Sequence, residues 1–235
     1  MKEKTSFSII TVCFNAAKTI EKTIDSVLNQ NYDDFEYIII DGGSNDGTLD
    51  ILRKYKERII FRSEPDEGIY DAMNKGLTVA NGDFVIFLGA DDVFYDNNVL
   101  SNVSERLNDK VTIYYGNVVN SDTGQLYDGE FNNWKWGYEN ICHQSLFYPK
   151  SVYKHQKYDL SYKYMADWVY NLQLLSKKVP FHYMGETITY YNREGASALS
   201  KDATFKKNRR TLVVNAVGLA PYIWGLFMRL TKVFK

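Results

Sequence analysis

The chain has 235 residues, enough for one domain with a well-buried core and at most a small appendage. A formal net charge of −1 argues against a general nucleic-acid binder, and the 19 Tyr suit either a carbohydrate-binding surface or a Tyr-rich core. Cys13 and Cys142 lie in apolar contexts without metal-ligand spacing, so they read as buried reduced thiols of a cytosolic protein.

Lys2, Glu3 and Lys4 precede an apolar run, Phe7 to Phe14, that superficially resembles a signal peptide. The run stops at Asn15 and has no small-residue cleavage site, so it reads as a first β-strand. From Ala17 to Gln30, Ile20, Ile24, Val27 and Leu28 recur at helical spacing. Phe35 to Ile40 is a second strand, closed by Asp41-Gly42-Gly43-Ser44-Asn45-Asp46-Gly47, with Asp46 placed to cap a helix from Thr48 to Lys56. Ile59 to Arg62 is a third strand, running into Ser63-Glu64-Pro65-Asp66-Glu67-Gly68, and a helix is predicted from Ile69 to Val79.

Five large apolar residues, Phe84 to Leu88, then form a fourth strand short enough and apolar enough to be buried on both faces. It delivers two adjacent carboxylates, Asp91 and Asp92. Such a pair repels, and either ordinary turn chemistry or a divalent cation with a bound diphosphate accounts for it. Strands alternating with helices imply an α/β fold with right-handed crossovers and a mostly parallel sheet. In such a sheet the ends at Asn15, Asp41, Glu64 and Asp91-Asp92 point to one crevice, which raises the site reading over the turn reading. No glycine-rich phosphate loop follows the first strand, which disfavours a dinucleotide fold or a P-loop enzyme.

Thr11-Val12-Cys13-Phe14-Asn15, Asp41 through Thr48, Ser63-Glu64-Pro65-Asp66 with Gly68 through Gly76, and Gly82-Asp83 through Asp91-Asp92 resemble, in order and spacing, the family 2 inverting glycosyltransferases of the GT-A (Rossmann-like) fold. The likeness is close over roughly the first hundred residues and loose beyond them. It implies a nucleotide-sugar donor, usually a UDP-sugar, with Mn²⁺ or Mg²⁺ as cofactor. By resemblance the first strand end (Thr11, Cys13, Asn15) and Asp41 hold the nucleoside. Asp92 is the expected metal ligand, with Asp91 nearer the ribose or sugar. Glu64 lies at the third strand end; Asp71, Asn74 and Lys75 share a helix face that could shape the donor site.

The second half of the chain is the acceptor side. Val111 to Asn117 is a fifth strand, Asn117 to Asp128 a hairpin turning near Thr123-Gly124, and Trp134, Trp136 and Tyr138 either stack on a sugar or join the core. The resemblance puts His143, ahead of Leu146-Phe147-Tyr148, on a strand beside the sugar. Asp167 opens a helix that runs from Val169 to Ser176. A cap and a catalytic base compete for this one residue, and the resemblance makes it the base. Tyr190 to Ser197 resembles a segment that closes over the donor, with Arg193 toward the diphosphate, although a surface salt bridge is the simpler reading.

The tail is basic: residues 201–235 carry a net +7, leaving −8 for residues 1–200. Its apolar residues are interrupted by Asn215, Gly218, Pro221 and Gly225, which makes it marginal as a bilayer span. It reads as a basic amphipathic segment, residues 211–235, on a domain of residues 1–210, lying on a membrane surface or packed on the domain. Taken with the resemblance, these features lead to a cytoplasmic enzyme at the inner face of the plasma membrane. It would transfer a sugar with inversion to a saccharide acceptor, possibly polyprenyl-diphosphate-linked, in surface polysaccharide assembly. The alternatives are a nucleotidyltransferase acting on sugar phosphates and a non-catalytic sugar-binding module.

Overall fold

The computed structural model describes residues 4–127, 129–192 and 202–233. Its first half runs β1 (Phe7–Cys13), α1 (Ile20–Leu28), β2 (Phe35–Asp41), α2 (Thr48–Lys54), β3 (Ile60–Ser63), α3 (Ile69–Val79), β4 (Phe84–Gly89), β5 (Val93–Phe94) and α4 (Val99–Arg106). The second half runs β6 (Ile113–Asn120), β7 (Leu126–Tyr127), α5 (Asn133–Trp136), a single 3-10 turn (His143–Ser145), β8 (Leu146–Pro149), α6 (Lys150–Tyr153), α7 (Ala166–Ser176), β9 (Phe181–Tyr191), α8 (Ala203–Val217) and α9 (Leu219–Val233).

The expected parallel sheet is present in the first half, where β3, β2, β1 and β4 lie side by side and parallel. Beyond β4 the sheet is mixed: β8 runs antiparallel to β4, β6 antiparallel to β8, and β9 parallel to β6. The β6–β7 hairpin turns where expected, with Gly124 in the left-handed region. Both faces of the sheet are covered. Along β4, Phe84, Ile86 and Leu88 join a core with Ile20, Ile24 and Val27 of α1, while Val85 and Phe87 join a second core with Met73 and Leu77 of α3. Burial on both faces is why β4 reads as an unbroken apolar run instead of an alternating one.

α1 begins three residues later than predicted, and the backbone N–H groups ahead of it are held by side chains of the loop after β2 and the start of α2. Asn15 donates to Ser44 Oγ at 2.7 Å, Ala16 to Thr48 Oγ1 at 2.9 Å and Ala17 to Asp46 Oδ2 at 3.0 Å. Asp46 also accepts from the Thr48 N–H, so it serves both the first loop and the start of α2.

Many tyrosines belong to the core: Tyr148, Tyr158 and Tyr170 pack ring against ring, fully buried. The Trp134–Tyr138 cluster divides, with Trp136 buried against Phe131 and Phe181 while Trp134 is exposed beside Trp224. Cys13 is buried as expected; Cys142 is only half-buried, its Sγ 2.8 Å from Gln144 Oε1.

The tail forms two helices. α8, capped by Asp202 through the Phe205 N–H, buries Phe205, Arg209, Val213 and Ala216 and packs against α7. The expected boundary at residue 210 falls inside α8; the helix breaks instead at Gly218, whose φ of 97° only glycine adopts readily. α9 turns Pro221 and Gly225 inward and leaves Leu219, Ile223, Leu226, Phe227 and Leu230 exposed along its opposite side. No helix among the described residues is long and apolar enough to cross a membrane.

Candidate active site

The carboxyl ends of β1, β2 and β4 are neighbours, since Cys13 pairs with Asp41 and Val12 with Gly89. The strand-end groups therefore do converge, but the side chains divide the work differently from expectation.

Asp41 was expected to hold the nucleoside. It is fully buried, and both oxygens are engaged: Oδ2 accepts from the N–H groups of Gly43 (3.0 Å) and Ser44 (2.9 Å) and from Ser63 Oγ (2.7 Å), while Oδ1 accepts from Ser44 Oγ and Cys13 Sγ. Burial alone would raise its pKa, but these donors outweigh burial and hold the carboxyl below the usual range. Asp41 is thus the clamp that fixes the loops after β2 and β3. Thr11 is likewise fully buried, bonded to the Tyr37 hydroxyl at 3.0 Å, and the Cys13 thiol is pushed up by burial and by Asp41. Neither presents its side chain to a ligand. The exposed groups at this mouth are Asn15, with φ of 53°, whose Oδ1 accepts from the Asn45 N–H, and Phe14, whose ring is 63% exposed. The Asp66 carboxylate rests against Gly42 beside that ring. Phe14 and Asp66 went unassigned in the sequence, although an aromatic at a strand end is a legible signal.

The two adjacent acids differ in exposure. Asp92 is 2% exposed and folds back under the strand end, where Oδ2 accepts from the Gly89 N–H (3.1 Å) and Gln144 Nε2 (2.8 Å) and Oδ1 from the Asn192 N–H (3.0 Å). The carboxylate packs close on Gly89, where a Cβ would stand 2.4 Å from Oδ2 and force it to shift. Burial, then the charge of Asp91, pushes Asp92 up to about 6. Asp91 is exposed at the crevice. Of the two adjacent carboxylates, Asp91 faces the crevice and Asp92 is enclosed.

Glu64, Asp71 and Lys75 form an ion-pair cluster, with Lys75 Nζ 3.3 Å from Glu64, 3.2 Å from Asp71 and 2.9 Å from the Pro65 carbonyl. They tie the loop after β3 to α3 instead of presenting a free cation to a donor. Asn74, expected on the same face, is buried and pairs both ways with the backbone of Tyr158. Arg193 lies outside the described residues.

Asp167 stands in the first turn of α7, within the helix, while Met165 occupies the cap position. Its carboxylate caps nothing: Oδ1 accepts from the Tyr70 hydroxyl (2.9 Å) and Oδ2 from Asn140 Nδ2 (2.8 Å). Asn140 is itself fixed by Asn171, and Asn171 by the Tyr148 hydroxyl. Sequence gave Asn140 no signal, because it sits in an aperiodic loop; Tyr70 lay within a quoted motif but was not singled out. His143 begins the 3-10 turn ahead of β8, not a strand as expected. Burial lowers its pKa, against the opposing charges of Asp167 and Asp91.

Among the described residues no group of three or more His, Cys, Asp or Glu gathers as a metal site. A single exposed carboxylate, Asp91, fits Mg²⁺- or Mn²⁺-type binding in which substrate phosphates supply most of the remaining oxygens.

This arrangement of strand ends has known counterparts, and the model of the family described as Glycosyl transferase family 2 matches residues 8–177. The chain belongs to glycosyl transferase family 2. Among this family's curated members it is 35% identical over 198 residues to a PGL/p-HBAD biosynthesis glycosyltransferase of Mycobacterium bovis, covering 80% of this chain and 77% of the relative. It is 28% identical over 222 residues to WfaP of Escherichia coli, a UDP-Glc:alpha-D-GlcNAc-diphosphoundecaprenol beta-1,3-glucosyltransferase, covering 90% and 86%. The fold matches that of S. aureus TarS 1-349 in complex with UDP-GlcNAc, with a TM-score of 0.71 at 18% identity over 89% of this chain and 66% of TarS 1-349. The match to a longer TarS chain covers only 36% of it. A mannosyltransferase of Pyrobaculum calidifontis in complex with GDP-Man and Mn²⁺ matches at a TM-score of 0.65 and 15% identity, over 92% and 64%. This family 2 glycosyltransferase therefore has the mixed α/β GT-A fold expected from its motifs, and the nucleotidyltransferase alternative falls away.

Proposed function

We propose that the enzyme transfers a sugar from a UDP-sugar, with inversion at the anomeric carbon, to a saccharide carried on a lipid at the cytoplasmic face of the membrane. The observation that carries this reading is the Asp167 carboxylate, fixed by Tyr70 and Asn140 in the first turn of α7. A carboxylate so held can take a proton from an acceptor hydroxyl as that oxygen attacks C1. Asp91 would hold a divalent cation, which when bound supplies charge neutralisation to the departing diphosphate. His143 would orient the sugar between the two carboxylates. The donor and lipid-linked acceptor are suggested by the substrates that WfaP's name carries.

A panel of nucleotide sugars assayed with Mn²⁺ and with Mg²⁺ tests the reading. Metal-dependent release of UDP from one donor is expected; no release from any donor with either cation would leave a sugar-binding module in its place.

Phe14, the exposed ring at the end of β1, would stack on the donor base. Base–aromatic stacking is worth roughly 1–3 kcal/mol, so Phe14→Ala should raise the donor KM about tenfold with kcat little changed. An unchanged KM would remove the ring from the donor site.

The outward side of α9 would rest in the membrane interface. Its exposed apolar residues at positions 219, 223, 226, 227 and 230 share one helical face, Trp224 is exposed at the edge of it, and Lys206, Lys207 and Arg210 are exposed on α8. Replacing Ile223 and Phe227 together by Ser should reduce co-sedimentation with phosphatidylglycerol-rich vesicles roughly tenfold or more. Equal sedimentation of variant and parent would place the contact elsewhere.

A further inference from the structure

Where α7, α8 and α9 meet, two arginines come together without an acidic partner. The Arg229 guanidinium lies 5.6 Å above the ring of Trp168, the residue that follows Asp167, and its side chain is exposed. Behind it Arg209 is buried, donating to the Gly137 carbonyl at 2.6 Å and lying 5.6 Å from the centre of the Tyr222 ring. Among the described residues no carboxylate forms an ion pair with either arginine. Two buried donors at the same junction, Arg209 Nε and Trp168 Nε1, also have no hydrogen-bond partner.

Packing does not require this arrangement. A buried guanidinium ordinarily has an acidic partner and satisfied N–H groups, because removing its hydration is expensive. Burial and the repulsion of Arg229 pull Arg209 down to about 10, so the junction disfavours the charges it holds. A bound anion would relieve that. The aromatic rings of Trp168 and Tyr222 shape the junction for a delocalised cation and its counter-ion.

We propose that Arg229, backed by Arg209, binds the diphosphate of a prenyl-diphosphate-linked acceptor. This rests on the lipid-linked reading above and assigns the part of the acceptor that the strand-end crevice does not explain. The placement is coherent from three sides. Trp168, the ring beneath Arg229, directly follows the candidate base Asp167 on α7. The 137–140 loop links the two, since Gly137 accepts from Arg209 and Asn140 donates to Asp167. Arg229 also belongs to α9, the helix with the exposed apolar side, so a prenyl chain leaving the diphosphate would meet a bilayer held by the same helix.

Titration of farnesyl diphosphate into the full chain, with UDP and Mg²⁺ saturating the donor crevice, tests the site. Saturable binding is expected. Arg229→Gln should weaken it about tenfold or more, the scale of a lost charge-assisted hydrogen bond, and Arg229→Lys should restore most of it. UDP binding and the melting temperature should be the same in all three proteins. Farnesol, which lacks the diphosphate, should show no dependence on residue 229. Inorganic pyrophosphate binding as tightly as farnesyl diphosphate would make the ligand a free phosphate and overturn the lipid assignment. Farnesyl diphosphate binding that Arg229→Gln leaves unchanged would overturn the site itself. The transferase reading fails separately: farnesyl diphosphate bound through Arg229, in a chain that releases UDP from no nucleotide sugar, leaves the site standing and that reading fallen.

Discussion

Replacing Asp167 by Asn is expected to lower kcat by roughly 10²-fold or more, the scale of losing a general base, with little change in donor KM. The substitution keeps the volume and one carbonyl oxygen but cannot take a proton. Helix capping is untouched, because Met165 and not Asp167 holds the cap position. One of the two donors, the Tyr70 hydroxyl or Asn140 Nδ2, loses its acceptor, which costs about 1 kcal/mol and should move the melting temperature by only a few degrees. Tyr70→Phe is the companion variant. It removes one of the two hydrogen bonds that orient the carboxylate, so kcat should fall several-fold with donor KM little changed. Wild-type turnover in Asp167→Asn would send the search for a base to another acid; an unchanged kcat in Tyr70→Phe would reduce Tyr70 to packing.

The second large effect separates the two adjacent acids. Asp91→Ala should lose metal-dependent UDP-sugar binding and turnover, roughly 10²-fold or more, without lowering the melting temperature, because an exposed carboxylate contributes charge and not packing. Asp92→Ala should do the reverse. It leaves the Gly89 and Asn192 N–H groups and Gln144 Nε2 without an acceptor, and a buried unsatisfied donor costs about 1–3 kcal/mol. Part of that loss is offset by removing a carboxylate whose own burial pushes it up to about 6. Calorimetry of UDP binding with Mn²⁺, run beside thermal melts of both variants, distinguishes them. If Asp92→Ala lost metal-dependent binding at an unchanged melting temperature while Asp91→Ala kept it, the metal would belong to Asp92 after all.

The first four strands, three of their helices and the crevice at their ends were legible in the sequence by itself. Strand and helix periods in this half are set by neighbours along the chain, and a parallel βα repeat leaves little freedom in how they assemble. The same local logic singled out Asp91, Asp92 and Asp167 as candidates. What each carboxylate does was decided only by tertiary structure. Adjacent residues on a turn point in opposite directions, and which of Asp91 and Asp92 turns inward depends on donors from Gly89, Gln144 and Asn192, the last 100 residues away. The Asp167 carboxylate likewise bonds to Tyr70 and Asn140, 97 and 27 residues distant, and not to the N–H groups that a cap would meet. Asp41 looked like a ligand because it is an acid at a strand end, yet serines from two loops enclose it. For the tail, composition gave a basic apolar segment, whereas the sides of α9 that are buried and exposed follow from how Pro221 and Gly225 seat it on the domain. Composition and period fix which elements form, but the partner of a buried polar group is a long-range fact, set by which chain segments the packed core brings together.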